Sequence, residues 1–99
     1  MRLSDSHRKT IRRTVVELFG KDARVLLFGS RTVNDERGGD IDLLVDVPHT
    51  VTDGNKLALT LTARLQLLLG DQPIDVLVLD PGTRRQPVHD EALRTGIPL

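Results

Sequence analysis

The sequence has no cysteine, tryptophan or tyrosine, and its only phenylalanines are Phe19 and Phe28. Without cysteine there can be no disulfide, thiolate nucleophile or cysteine-ligated zinc. With two rings in the whole chain, the core must be assembled from Leu, Val and Ile, and the aromatic platforms that stack single-stranded nucleic acid are missing. Charge of one sign is lacking too, since 14 Lys and Arg offset 14 Asp and Glu. No overall field draws in DNA or RNA, so direct nucleic-acid binding is not expected. No apolar run is long enough to span a bilayer, and the opening stretch MRLSDSHRKTIRR is polar where a signal peptide is apolar. The expectation is a soluble, cytoplasmic protein without membrane association. Its 99 residues suit one domain, 1–99, with one small core.

What is present is a series of periodic segments with clear punctuation. Ser4 or Ser6 suits the cap of a helix running to about Phe19, with Ile11, Val15, Leu18 and Phe19 on one face and Gly20 as its stop. Arg8, Lys9, Arg12 and Arg13 on the opposite face read as a solvated surface, the alternative being a patch for nucleic acid or an acidic partner. Residues 24–28 and 41–47 read as short strands whose unbroken apolar character predicts burial on both faces. Between them Gly29-Ser30 turns the chain, residues 30–34 suit a short helix, and 35–39 form a polar loop. Asp53 is the expected cap of a second long helix reaching Leu69, with Leu57, Leu61, Leu65 and Leu68 as its core stripe. Leu59 and Leu67 fall outside that stripe, as ordinary exposed leucines or as a subunit contact. A third strand over 73–79 and a last helix from about Pro87 to Thr95, closed by Gly96, complete the order αβαβαβα. This is the α/β class, with a small mixed β-sheet covered by helices.

The chemistry concentrates in three acids. Asp40 and Asp42 are two apart in a strand, so they project from one face, roughly 6–7 Å from each other. Carboxylates that close repel unless a cation lies between them, and hard oxygen donors select magnesium or manganese. Asp75 interrupts the third strand in the same way, and it reaches the same metal site if the two strands are neighbours. Gly29 permits close backbone approach, and the amides after it, with the Ser30 hydroxyl, form an anion site for a triphosphate. Arg31 stands beside the turn as a phosphate partner or as a plain surface arginine. These parts suit in-line attack on the α-phosphorus of a nucleoside triphosphate, with Asp40, Asp42 and Asp75 as metal-holding catalytic residues. Asp75 is also placed to take the proton of the attacking hydroxyl. His7, His49 and His89 show no metal-ligand spacing and are expected to be exposed and unassigned, and Arg84-Arg85 reads as a surface pair, with a phosphate or a partner's acid as the alternative.

On these residues the chain resembles the DNA polymerase beta-like nucleotidyltransferase superfamily, and within it the minimal nucleotidyltransferase (MNT) domains. The likeness rests on Leu27-Phe28-Gly29-Ser30-Arg31, on residues 39–45, on Ile74-Asp75-Val76 and on the closing residues 92–99. Gly29, Ser30, Asp40, Asp42 and Asp75 match the family's phosphate-binding and metal-binding positions. Two departures lie in the loop: the nine-residue spacer between Ser30 and Asp40 is one shorter than the common form, and Asn34 stands where many members carry glycine. The resemblance implies the polymerase beta-like fold and magnesium-dependent transfer (manganese being possible) of AMP from ATP. It also implies a partner, a HEPN-type ribonuclease toxin modified on a tyrosine, with the MNT protein as its antitoxin. The competing expectation is a non-catalytic nucleotide-binding module that neutralises or regulates its partner by direct binding. Transfer to a small molecule such as an aminoglycoside is disfavoured, because nothing remains in the chain to build an acceptor domain.

Overall fold

The computed structural model describes residues 3–29 and 41–99. Along the chain run α1 (Asp5–Phe19), β1 (Arg24–Phe28), β2 (Ile41–Asp46), α2 (Gly54–Leu69), β3 (Ile74–Leu79), α3 (Pro87–Thr95) and β4 (Ile97–Pro98). The four strands form one mixed sheet in the order β3-β2-β1-β4. β1 is antiparallel to β2 and to β4, whereas β2 and β3 run parallel, joined by α2. The expected small mixed sheet with covering helices is therefore present, and the short helix expected over 30–34 lies outside the described residues.

Local chemistry explains the boundaries. Ser4 caps α1 by accepting the His7 N–H at 3.1 Å, and Gly20 ends the helix. Asp53 immediately precedes α2, but its side chain makes no cap bond. Its backbone is left-handed (φ 59°, ψ 52°), which turns the carboxylate away from the free amides that an extended cap residue would meet. β4 was not expected from the sequence: two residues carry no periodic signal, and Pro98 argues against a strand. Proline is tolerated here because β4 is an edge, paired only with Leu26 and Leu27 of β1. Gly96 fits α3 against β1, where a Cβ would meet the Ala92 carbonyl and approach Cβ of Leu26 to 3.0 Å.

Alternation along the strands divides the core in two. One face presents Val25, Ile41, Leu43, Val45 and Ile74 to Ile11, Val15 and Phe19 of α1 and to Leu61 and Leu65 of α2. The other presents Leu26, Phe28, Leu44 and Leu79 to Ala92 of α3, with Leu77 and Leu93 at the margin. β2, in the middle, is buried on both faces as its apolar run predicted, with Ile41, Leu43, Leu44 and Val45 all fully enclosed. Leu68 departs from expectation: it is 53% exposed, because the last turn of α2 offers Leu69 to the core in its place. Leu59 and Leu67 are exposed, and so are Arg8, Lys9, Arg12 and Arg13. No described helix is long and apolar enough to cross a membrane.

Asp80 fastens the end of β3. Its carboxylate accepts the Val51 N–H (2.7 Å), the Gly82 N–H (3.0 Å) and the Thr83 hydroxyl (2.9 Å), tying the loop before α2 to the turn before α3. These donors favour the ionised form, Val51 most and Thr83 next, and hold the carboxyl below its ordinary value of 3.8. A depressed folded-state pKa contributes stability above the unfolded value and loses it as pH falls through the folded one. Thermal melting as a function of pH is expected to show Asp80→Asn less stable than wild type at neutral pH, with the gap closing in acid below about pH 3.8. Leu65→Ala, at a fully enclosed position, should cost about 2–5 kcal/mol in urea denaturation. The exposed Leu67→Ala should stay within about 0.5 kcal/mol of wild type.

Candidate functional site

On the face that α3 partly covers, strand register organises the side chains into three rows. Arg24, Asp46 and Leu79 form the lowest, Leu26, Leu44 and Leu77 the middle, and Phe28, Asp42 and Asp75 the uppermost. In the lowest row the Asp46 charge is met by Arg24, whose guanidinium lies 2.6 Å from the carboxylate. The middle row is apolar and helps to seat α3. The uppermost row brings two acids together: Asp42 and Asp75 are direct partners across the parallel β2–β3 pair, on strands roughly 4.8 Å apart. Residues 33 positions apart in sequence thus stand side by side. Carboxylates in such register are an arrangement that can hold a divalent cation.

The two acids differ in their surroundings. Asp42 is half-buried on the central strand, whereas Asp75 is exposed on the outermost strand. Gly29 closes over Asp42 at the end of β1. It holds φ +80°, and a Cβ there would lie 2.5 Å from Oδ2 of Asp42, so this position requires glycine on both counts. The carboxylate and the turn are consequently in direct apposition, an acid beside backbone suited to approach by a ligand. Asp42 and Asp75 are hard oxygen donors placed to share a divalent cation. Among the described residues no group of three potential metal ligands occurs. Asp40, Ser30 and Arg31, also expected at the site, lie outside the described residues.

Two residues of the β3–α3 region were assigned no such role from the sequence. Asp80, which directly follows the third expected strand, is the hydrogen-bonding hub described above. His89, expected to be exposed, is 7% exposed and occupies the third position of α3, where its Nδ1 accepts the Gln86 N–H at 3.0 Å. This is the return contact of a capping box, with histidine in place of the usual Glu or Gln. The spacing Gln86-Pro87-Val88-His89 is the signal that would have found it. His7 is half-buried and His49 exposed. Arg85 pairs with Asp90 at 2.8 Å, while Arg84 is exposed and makes no ion pair among the described residues.

The sequence matches the family model of the nucleotidyltransferase domain over residues 8–94. No curated protein matches it. Among solved structures, a chain of the MntA–HepT toxin–antitoxin complex is 17% identical, covering 96% of this chain and 70% of its own, with a TM-score of 0.63. A chain from the complex of the tri-AMPylated HEPN toxin of Shewanella oneidensis with its MNT antitoxin is 19% identical. That match covers 92% of this chain and 70% of the other, with a TM-score of 0.55. A third, from a toxin–antitoxin structure with AMP-PNP, is also 19% identical, covering 88% of this chain and 70% of its own at a TM-score of 0.56. Identities this low establish a shared fold, and it is the family model that fixes the kinship: the chain belongs to the nucleotidyltransferase domain family.

Proposed function

We propose that this protein transfers AMP from ATP to a tyrosine of a HEPN-type ribonuclease toxin, and so acts as its antitoxin. The observation that carries this reading is the register of Asp42 with Asp75, next to a glycine whose missing side chain leaves room at the Asp42 carboxylate. The structural likeness to chains of MntA–HepT complexes, one with a tri-AMPylated toxin, supports the choice of partner and group.

In this reading Asp42, Asp75 and Asp40, two residues before Asp42 in the sequence, are the metal-holding acids. The Gly29 turn with Ser30 and Arg31 receives the triphosphate. A divalent cation, magnesium or manganese, supplies charge neutralisation and lowers the pKa of the acceptor hydroxyl when bound. Asp75, exposed at the sheet's edge, meets the incoming acceptor and accepts its proton. The hydroxyl oxygen forms a bond to the α-phosphorus, the bond from that phosphorus to the bridging oxygen breaks, and pyrophosphate leaves with the electron pair. Gly29, whose place admits no side chain beside the Asp42 carboxylate, keeps the nucleotide's end of the site clear.

Labelled ATP mixed with the partner toxin is expected to yield a labelled toxin adduct that requires divalent metal. Asp42→Asn should lower the rate by about 10³-fold, the loss of several kcal/mol of charge stabilisation. Asp75→Asn should lower it by about 10²–10⁴-fold. If the wild type forms no adduct yet still silences the toxin, neutralisation is by contact and the transfer reading is wrong. Gly29→Ala should abolish nucleotide binding in calorimetry while the protein still melts cooperatively, because the new methyl group collides with the Asp42 carboxylate.

A further inference from the structure

Among the described residues β3 ends the sheet, and its outer edge pairs with no other strand. The Ile41 N–H donates to the Pro73 carbonyl (2.9 Å) and the Val47 N–H to that of Leu79 (2.8 Å), so the odd-numbered residues of β3 face β2. Ile74, Val76 and Val78 therefore turn their N–H and C=O groups outward, where the Val78 carbonyl accepts the Thr83 hydroxyl at 3.5 Å and no strand among the described residues pairs with them. Edge strands are normally blunted by proline, lysine or a bulge, yet residues 74–79 read IDVLVL, and the strand pairs with β2 residue for residue.

This edge floors a groove. A hollow of about 610 Å³ runs along Val76, Leu77 and Val78, walled by the first turns of α2 at Asn55 and by the start of α3 at His89. A second hollow, about 370 Å³, shares Asn55, Ala58 and Val76 with it and continues to Asp75. The exposed Leu59 lies on its wall. One continuous channel thus leads from the acid at one end of β3 to Arg84 at the other. From Asp75 to Leu79 the strand itself advances roughly 13 Å.

At its Arg84 end the channel offers a cation to an acidic side chain of an occupant, while Asp75 and Asp80 are its acids. Arg84 lines it without an ion pair among the described residues. His89 gives its Nδ1 to the Gln86 N–H, so a neutral ring keeps its proton on Nε2, a donor with no partner among the described residues. The one acid along the main hollow, Asp80, has Oδ2 engaged by Val51 and Oδ1 by Gly82 and Thr83. Residues of α2 and α3 wall the two sides of the edge.

We infer that the free edge of β3 docks an extended segment of the acceptor protein as an added strand, with an acidic side chain toward Arg84 and the acceptor hydroxyl beside Asp75. The inference rests on the transfer reading above and adds to it the surface that selects the acceptor. Main-chain pairing with Val76 and Val78 holds the segment, and its charge sets the register.

Amide hydrogen exchange on the complex of this protein with its HEPN-type partner tests it. Binding is expected to slow exchange at Val76 and Val78 by at least about tenfold. Arg84→Glu is expected to raise the partner's Kd and the acceptor KM by about tenfold or more, with the KM for ATP unchanged and Arg84→Lys restoring binding. Val76→Pro removes an outward N–H without touching the β2 ladder and should weaken the complex likewise. A complex that transfers AMP while Val76 and Val78 exchange as in the free protein overturns the docking surface alone. Slowed exchange that grows with protein concentration in the absence of partner assigns the edge to a second copy and also overturns it. Failure of the wild-type protein to bind the partner at all removes both the acceptor and the inference.

Discussion

The parallel register of β2 with β3, which places Asp42 beside Asp75, is the constraint on which the candidate site depends. Asp42 is carried by the strand with the most thoroughly buried residues, and Asp75 by a strand held in parallel register along its full length. Ile41 and Leu43 on either side of Asp42 are fully enclosed against α1 and α2, so β2 cannot rotate or slip to separate the acids. A slip of one residue would turn the buried set to the opposite face. The apolar core thus provides the rigidity that keeps the two acids in register.

The acids are held from one side and approached from another. Both long helices pack on the face opposite the acid row, and the short α3 covers only part of the near face. At the end of β1 the backbone of Gly29 lies directly against the Asp42 carboxylate. At the far end, Asp80 and His89 use side chains to satisfy backbone amides and fix two turns.

Much of this was legible in the residues. Continuous apolar runs marked β1 and β2, Pro87 and Gly96 bounded α3, and acids interrupting apolar strands identified Asp42 and Asp75, which the sheet does bring together. What escaped had no periodic or compositional trace. β4 is two residues long and ends in proline. Asp53 carries the residue type of a helix cap and a backbone conformation that prevents it from acting as one. Leu68 follows the helical stripe, but burial at a helix end depends on what lies beneath the last turn. His89 looked like one more exposed histidine because its role depends on a backbone amide three residues earlier.

The parallel pairing of β2 with β3 also bears on folding. Antiparallel β1 and β2 follow one another in the chain, whereas β3 can join only after the chain has travelled through α2 and back. Parallel pairs close over long crossovers and form late. A chain that has assembled β1 and β2 alone therefore holds Asp42 without its neighbour. The two acids come side by side only when α2 has docked and β3 has joined β2, so their juxtaposition depends on a long-range contact.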